Sequence, residues 1–569
     1  MPISLNRTSV SDKERNENNK HNIFIVVSVL FTLLIYSYLF THLYQEFSIP
    51  SPQNIAFSIG ISDSDIFGSD GNIDCNLVII WSKIFNPDDE RFIVFVVMAL
   101  CFLTVYYSPV KYKRQIMVFW FFVGFYFLYG LRVTSALVVG HLLVYLTFHP
   151  QNKHSNLLSY FWGLFLFLAF FPLYDLVFLN ILNFIGCGVF AYLIFVKIYK
   201  PSLAINKVAR ISRILVIQGP ILFSVLAAIL NKFTGAVWVI PLGLLMFFHQ
   251  WERLMVYHVD YKNDEVPLNL SFGIYLSIFL SPAIFTKWAS NPYIGQGYTY
   301  MTSRFLSRDK NKIVLAGLKL WGFALFYLLI GDSVVQFVIN FFSENFNVIV
   351  YSYVSQLVRN YVHGTEVGTA TVLASTFLDQ VRFFLLIASV VHFKVGAWRI
   401  FGFDMDPQYN KPWLATNLSN FWTRYAFHFR EFLSKVFYYP IFLKYFRNDF
   451  TLRLFTAIIA SATLGNLFWG HVPLSLWTKG LSWNVLILRL EAWPYYLLLG
   501  LSIFFTDLYL IKRKSRRKSW TFDKWIWTDF IAVYLTIQFF ALIHVFARPH
   551  IDGNLADYTN LFLIGLGLK

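Results

Sequence analysis

Polar, ionisable and aromatic side chains are concentrated in residues 420–471, between apolar segments of the chain. The residues of this stretch that are able to do chemistry are Asn420, Trp422, Arg424, His428, Arg430, Trp469 and His471. A titratable or charged group is costly at membrane depth, so its presence in a lipid-soluble chain indicates a functional site. The types of residue suit proton transfer by imidazole and the binding of an anionic group by guanidinium.

Two histidines stand within or next to long apolar runs. His471 follows the run 451–470, and a neutral imidazole near the end of a buried helix is able to accept a proton from a hydroxyl at neutral pH. The alternative interpretation is an interfacial histidine with no chemical role. His392 lies deep in an earlier run, close to Lys394, whereas the remaining histidines are interpreted mostly as interfacial.

A four-residue spacing relates Asn420, Arg424 and His428. Residues at this spacing lie on one face of a helix, which we expect to begin near Asn417 or Asn420. A hydrogen-bond donor, a cation and an imidazole in one row would bind a polar or anionic group. The alternative is a helix at the membrane interface with a solvated polar face, and the aromatic stripes of residues 394–450 favour that arrangement.

The composition is that of a membrane protein. The chain has 569 residues, of which 57% are hydrophobic, 20% aromatic and only 14% charged. Apolar runs of about 18 or more residues recur along it, each long enough to cross a bilayer core, and at that depth the backbone must be helical. They lack the alternation of barrel strands. We therefore predict an all-α, polytopic integral membrane protein with about 13–15 transmembrane or re-entrant helices. The later spans are predicted at 312–332, 334–357, 369–393, 451–470, 484–509 and 525–548.

The formal charge of +16 is explained by cytoplasmic loops and contact with anionic lipid, and no nucleic acid is expected as a partner. Basic clusters occur at 111–114, 197–213 and 512–518, and alternating spans place all three on the side of the N-terminus. The positive-inside rule then predicts a cytoplasmic N-terminus. Cys75, Cys101 and Cys187 predict neither a disulfide framework nor a metal site.

Four blocks of the sequence are similar to motifs of the membrane-bound O-acyltransferase superfamily, especially its bacterial branch of alginate O-acetylation and teichoic-acid D-alanyl transfer proteins. The likeness covers roughly residues 270–510. The blocks run from Ser281-Pro282-Ala283 to Arg304-Phe305, from Lys394 to Phe403, from Asp406 to Pro412, and from Asn420 to Tyr425.

The resemblance implies a fold and a set of boundaries. It implies an acyltransferase-like helical core with interfacial helices at 231–550. The apolar runs of the sequence predict N-terminal transmembrane helices at 22–230, which contain an acidic outer loop at 43–90. A cytoplasmic polar tail is predicted at 1–21 and a C-terminal tail at 551–569.

The resemblance also implies residue roles. The family's histidine, which lies in an "LWHG" motif, corresponds to His471 with a shift of one or two residues, and Trp469 lies beside it. A second polar position falls on Ala426, with His428 two residues on, and the aspartate of an earlier family motif falls on His392. These departures are typical of a divergent branch, and they leave open a protein of this fold that no longer catalyses.

The implied reaction moves an acyl group from a thioester donor, acyl-CoA or an acyl carrier protein on the cytoplasmic side, to a hydroxyl of a cell-envelope glycan or lipid. His471 is the expected general base, and His428 or Asn420 the expected donor to the oxyanion. Arg424 and Arg430 would hold the donor's phosphates or an acidic carrier, and Trp422 and Trp469 belong to the binding site. No tightly bound cofactor or metal is expected, the expected location is the bacterial inner membrane, and the bacterial branch suggests a further extracytoplasmic transfer partner.

Two other functions remain open from the sequence. A polytopic glycosyltransferase that uses a lipid-linked sugar would explain the acidic first outer loop, which contains Asp63, Asp65, Asp70 and Asp74. A transporter would be expected to carry paired charges in mid-membrane, and the spans hold few.

Overall fold

The computed structural model of the protein describes residues 21–34, 90–123, 251–267, 269–280, 296–346, 348–473, 483–513, 527–547 and 553–569, together with 141, 145, 225 and 476. In this part of the chain the regular elements are helices, and one isolated antiparallel bridge joins Phe305 to Phe403. The all-α class is confirmed. The predicted loop aspartates, most of the N-terminal tail and most of the spans before residue 251 lie outside the described residues.

The described α-helices number seventeen when the 3-10 and π-helical segments are set aside. Before the first long helix they are α1 His21–Leu34, α2 Glu90–Tyr107, α3 110–123, α4 Trp251–Lys262, α5 Phe272–Phe279 and α6 Tyr298–Ser303. The next group is α7 Lys310–Phe346, α8 Val354–Val362, α9 Thr369–Ile400, α10 Leu418–Arg424, α11 Phe427–Leu433 and α12 Tyr439–Lys444. The last group is α13 Phe450–Ile458, α14 Trp483–Leu490, α15 Trp493–Lys512, α16 Trp527–Ala547 and α17 Leu555–Gly565.

Five helical segments of the described chain are long and apolar enough to cross a membrane: Lys310–Phe346, Thr369–Ile400, Phe450–His471, Trp483–Lys512 and Trp527–Ala547. This finding supports an integral membrane protein. The last three agree with the predicted spans 451–470, 484–509 and 525–548 to within a few residues.

The predicted separation of spans 312–332 and 334–357 is wrong, because α7 is one uninterrupted helix of 37 residues. Gly331 and Asp332 stand at the predicted break, but a glycine and an aspartate only weaken a helix, whereas proline breaks it. At 1.5 Å per residue α7 is about 55 Å long, well beyond the thickness of a bilayer core.

The longest two helices, α7 and α9, cross at a pair of glycines. A Cβ on Gly317 would lie 2.8 Å from the carbonyl oxygen of Gly396, so the backbones touch at this point. Trp321 closes the crossing, since its indole Nε1 donates to the carbonyl of Phe393 at 2.8 Å. Close approach through small residues is a common means of packing membrane helices, and it fixes α9 as the central scaffold.

An antiparallel pair, α13 and α15, packs beside this scaffold. The rings of Phe455 and Phe504 lie 5.2 Å apart near one end, and Thr463 donates to the carbonyl of Tyr496 at 3.0 Å further along. From Ile459 to His471 the continuation of α13 is a wider π-helix. Such π-helical turns often occur at functional sites.

The predicted C-terminal tail contains α17, which packs on α9 and α16 with Tyr558 and Leu561 fully buried. The Asn554 side-chain oxygen caps this helix by accepting from the backbone N–H groups of Ala556 and Asp557, and the Asp557 carboxylate accepts from the backbone N–H of Asn554. This capping box defines the start of the helix.

Candidate functional site

The predicted single helical face of Asn420, Arg424 and His428 is only half correct. Asn420 and Arg424 share a face of α10, where the Arg424 Nε donates to Asn420 Oδ1 at 2.9 Å, and Asn417 caps the helix as expected. The chain then breaks, because Ala426 adopts a left-handed conformation with φ of 51°. A new helix begins at Phe427, so His428 leaves the predicted face.

The break is stabilised by an irregular segment, residues 404–411, that precedes α10 in the sequence. Phe427 donates its backbone N–H to the carbonyl of Gln408 at 2.8 Å, and Asn410 donates to the carbonyl of Arg424 at 2.9 Å. These bonds satisfy backbone groups that a continuous helix would satisfy internally. The expected single amphipathic helix at the interface is therefore replaced by short helices, and α11 buries Phe429, Phe432 and Leu433.

His428 is completely buried, and both of its ring nitrogens are engaged. Its Nε2 lies 2.8 Å from the carbonyl oxygen of Asp406, and its Nδ1 lies 3.1 Å from the side-chain nitrogen of Gln296. The carbonyl only accepts and the amide nitrogen only donates, so the ring is neutral with its proton on Nε2. Burial lowers the pKa of His428 to about 3, which agrees with a neutral imidazole. The arrangement holds the segment around Asp406 in place.

The carboxylate of Asp406 connects this segment to α6. Arg304 forms an ion pair with it at 2.8 Å, and the Tyr300 hydroxyl donates to it at 3.0 Å. The backbone N–H of Asp406 in turn donates to the Tyr300 hydroxyl at 2.9 Å. The block of sequence that contains Asp406 resembles a family motif. The spacing of its residues gives no sign that Asp406 contacts Tyr300 and Arg304, about a hundred positions earlier.

A second cluster of buried charged side chains lies between α4 and α9. The spacing of its residues in the sequence did not reveal it. Glu252 and Arg253 are 3% and 0% exposed, and Lys394 of α9 is 1% exposed. The Arg253 guanidinium donates to the carbonyl of Ile278 at 2.8 Å and lies 4.7 Å above the ring of Trp398. Burial raises the pKa of Glu252 to about 8, against the lowering effect of the nearby Lys394 and Arg253.

His471 ends the π-helical segment and is half-buried. Its ring centroid lies 5.5 Å from that of Tyr496 on α15. The preceding residue, Gly470, touches α11: a Cβ there would lie 2.6 Å from the ring of Phe429. The helix that carries His428 thus packs directly against the turn that carries His471. Trp469 packs on the segment that follows α11, with its ring centroid 5.1 Å from that of Phe437.

His392 has a different set of neighbours. It is 7% exposed on α9, and its ring lies 5.8 Å from Tyr327 and 6.5 Å from Phe323, both on α7. Tyr327 also contacts Trp413 at 5.6 Å. His392 therefore belongs to the α7–α9 interface, whereas His471 belongs to the α13–α15 interface.

The two predicted anion-binding arginines are tied to the protein itself. Arg424 donates to the carbonyl of Asn410 at 3.2 Å in addition to its bond with Asn420. Arg430 donates to the carbonyl of Thr423 at 2.8 Å and pairs with Glu431 at 2.9 Å. Trp422 of α10 packs against two separate groups of buried hydrophobic side chains. The guanidiniums are thus held in defined positions.

Sequence reasoning did not single out His544, which is buried in α16. Its ring lies 4.4 Å from Phe540 and 4.7 Å from Tyr495. Tyr495 contacts Tyr496 at 4.8 Å, and Tyr496 contacts His471. A row of rings therefore connects His544 with His471 across three helices. The four-residue spacing of Phe540 and His544 on an apolar helix was the available signal.

Comparison of the chain with models of protein families and with curated proteins returns no match. The fold and the site define the class of protein on physical grounds. It is an all-α, polytopic integral membrane protein whose described helices bury His428, the charged side chains of Glu252, Arg253 and Lys394, and several tyrosines.

Proposed function

We propose that the protein is a membrane-bound O-acyltransferase that moves an acyl group from a thioester to a hydroxyl. The observation that carries the proposal is the placement of His471. Its half-buried imidazole ends a π-helical segment, lies against Tyr496 and follows Gly470, which is packed on α11. The resemblance of residues 394–425 to acyltransferase motifs supplies the type of reaction.

His471 acts as the general base in this proposal. The imidazole takes the proton of the acceptor hydroxyl while the hydroxyl oxygen attacks the thioester carbonyl. A C–O bond forms, the C–S bond breaks, and the proton held by His471 passes to the departing thiolate. A neutral imidazole is able to serve in both proton transfers at neutral pH.

Asn420 is the better candidate for the oxyanion donor. Both ring nitrogens of His428 bind protein atoms, so we assign it the role of positioning the segment around Asp406 and not of touching substrate. The Asn420 side-chain oxygen accepts from Arg424, which directs the amide N–H groups away from that arginine. An amide donor preorganised in a site of low polarity is worth about 10²–10³ in rate.

Arg424 and Arg430 lie in fixed positions that suit the phosphates of a coenzyme donor or an acidic carrier protein. Trp422 and Trp469 supply apolar walls for the acyl chain. We place the N-terminus and the donor on the cytoplasmic side of a bacterial inner membrane. The acceptor is then a hydroxyl of a cell-envelope glycan or lipid, with an extracytoplasmic partner to complete the transfer. No tightly bound cofactor is part of the proposal.

The test compares base-labile ester in isolated envelope glycans and lipids from wild type, a deletion strain, and the deletion carrying His471→Gln or His363→Gln. His363 is an exposed histidine at the end of α8 and serves as the matched control. We expect the deletion to lose ester, His363→Gln to restore it and His471→Gln to fail at equal expression. Full restoration by His471→Gln would refute the assignment of the base, and an unchanged deletion strain would refute acyl transfer.

A further inference from the structure

A cavity of about 220 Å³ opens between α13, α15 and the segment that precedes α13. Aromatic and aliphatic side chains form most of its wall, with one carboxylate among them. The principal lining residues are Tyr438, Phe442, Phe450, Leu454, Asp507 and Leu510. The cavity lies at the opposite end of the α13–α15 pair from His471, because Phe455 contacts Phe504 whereas His471 contacts Tyr496.

A cation is fixed beside the two aromatic walls of this cavity. The Arg453 guanidinium lies 4.4 Å from the ring centroid of Phe442 and 5.6 Å from that of Phe450. Its Nε is buried, and no hydrogen-bond partner for it is found in the described part of the chain. A buried guanidinium N–H without an acceptor is costly, and an anionic oxygen held by the terminal N–H groups of the same guanidinium would offset that cost.

The carboxylate in the cavity wall already has a hydrogen-bond partner within the protein, because Asp507 accepts from the Ser419 hydroxyl at 2.6 Å. Exposed cations lie close in sequence to the lining residues. Lys444 and Arg447 lie on the segment between Phe442 and Phe450, and Lys512 and Arg513 follow the lining residues at the end of α15. The local charge therefore favours an anion.

We propose that this cavity binds an anionic phospholipid. One acyl chain lies between α13 and α15 against Phe442, Phe450 and Leu454, and the phosphate accepts from Arg453 while the exposed lysines and arginines hold the rest of the headgroup. The apolar wall explains why the ligand is a lipid and not a soluble anion, and the basic opening explains the preference for negative charge.

Photo-crosslinking of the full-length protein tests the proposal. The protein is reconstituted in phosphatidylcholine vesicles that contain a trace of photoactivatable phosphatidylglycerol or of the same probe with a phosphatidylcholine headgroup. Labelled peptides are then quantified by mass spectrometry. We expect the phosphatidylglycerol probe to label residues 438–454 and 507–511 about fivefold more, the preference that one lysine or arginine near the surface gives.

Three variants separate the contribution of the Arg453 charge from that of the apolar cavity. Arg453→Gln should lower the preference, Arg453→Lys should retain it, and Leu454→Trp should reduce labelling by both probes because it fills the cavity. Arg359→Gln is the matched control, since this exposed arginine lies on α8, which packs on α9 and α17. Equal labelling of wild type by both probes, or a preference unchanged in Arg453→Gln, would overturn the proposal. Size-exclusion profiles verify that every variant is folded.

Discussion

The imidazole of His428 shows how a single side chain is able to hold a distant segment in a membrane protein. Its two ring nitrogens and its backbone N–H join α11 to Asp406, Gln296 and Gln408. The sequence correctly predicted that Asn420 and Arg424 share a face of one helix, because the positions of residues four apart are determined locally. It failed for His428, because the left-handed Ala426 is imposed by contacts with residues 408–410.

Replacement of His428 by phenylalanine should destabilise the protein. The substitution leaves the buried Gln296 amide and the Asp406 carbonyl without their partners, which costs about 1–3 kcal/mol for each unsatisfied group. Thermal unfolding in detergent should show a lowered midpoint for His428→Phe and a smaller loss for His428→Gln, which retains a donor and an acceptor. An unchanged midpoint for His428→Phe would contradict the structural role.

The same residue should make stability depend on pH. The pKa of His428 falls from an ordinary value of about 6.5 to about 3 through burial, so the neutral form is favoured by folding. Its contribution is fully present above pH of about 6.5 and is lost as pH falls toward 3, with a slope of up to about 1.4 kcal/mol per pH unit. Unfolding measured across this range should show a shallower acid dependence in His428→Gln than in wild type. Equal slopes would mean that His428 is not buried as a neutral ring.

At the scale of elements, the periodicity and length of the apolar runs predicted where the long helices lie. The sequence alone predicted little about where neighbouring helices join or cross. The three spans after residue 450 were predicted within a few residues, because each is a long apolar run with clear ends. The division of α7 was wrong, because Gly331 and Asp332 weaken a helix without ending it. The crossing of α7 and α9 depends on Gly317 meeting Gly396, a contact between residues 79 positions apart that no local pattern reveals.

Substitution of the α7 glycine at the crossing of α7 and α9 should destabilise the protein, and a second glycine of α7 serves as the control. Gly317→Ala places a Cβ 2.8 Å from a backbone oxygen, so the helices must separate, and overpacking of this kind typically costs about 1–3 kcal/mol. Gly322→Ala is also in α7 and meets nothing within 4 Å. Thermal unfolding should therefore show a lower midpoint for Gly317→Ala and an unchanged or higher one for Gly322→Ala. A Gly317→Ala protein as stable as wild type would show that the helices are not in contact here.

At the scale of the whole molecule, composition predicted the membrane class, and the distribution of charge predicted its orientation. The described spans agree with the class. The orientation stays a prediction, because it depends partly on basic clusters outside the described residues. The antiparallel contact of α13 with α15 adds a constraint that composition could not supply: the start of α13 and the end of α15 lie at the same end of the pair.

Single cysteines introduced into a cysteine-free background test this arrangement. Arg447→Cys and Arg513→Cys should react with a membrane-impermeant maleimide only from the cytoplasmic face, and Asn484→Cys only from the outer face. All three residues are exposed in the structure, so each is open to the reagent. Labelling in intact cells and in permeabilised cells distinguishes the two faces. Reaction of Arg447→Cys and Arg513→Cys from opposite faces would contradict the antiparallel pair.

The central claim is that His471 removes a proton during acyl transfer. The most direct measurement is the rate of transfer from a radiolabelled acyl thioester to an envelope glycan by the purified full-length protein in proteoliposomes, for wild type, His471→Gln and His363→Gln. The account predicts that His471→Gln lowers the rate by about 10²-fold or more, the usual contribution of a general base, while His363→Gln leaves it unchanged. A wild-type rate in folded His471→Gln protein would contradict the claim.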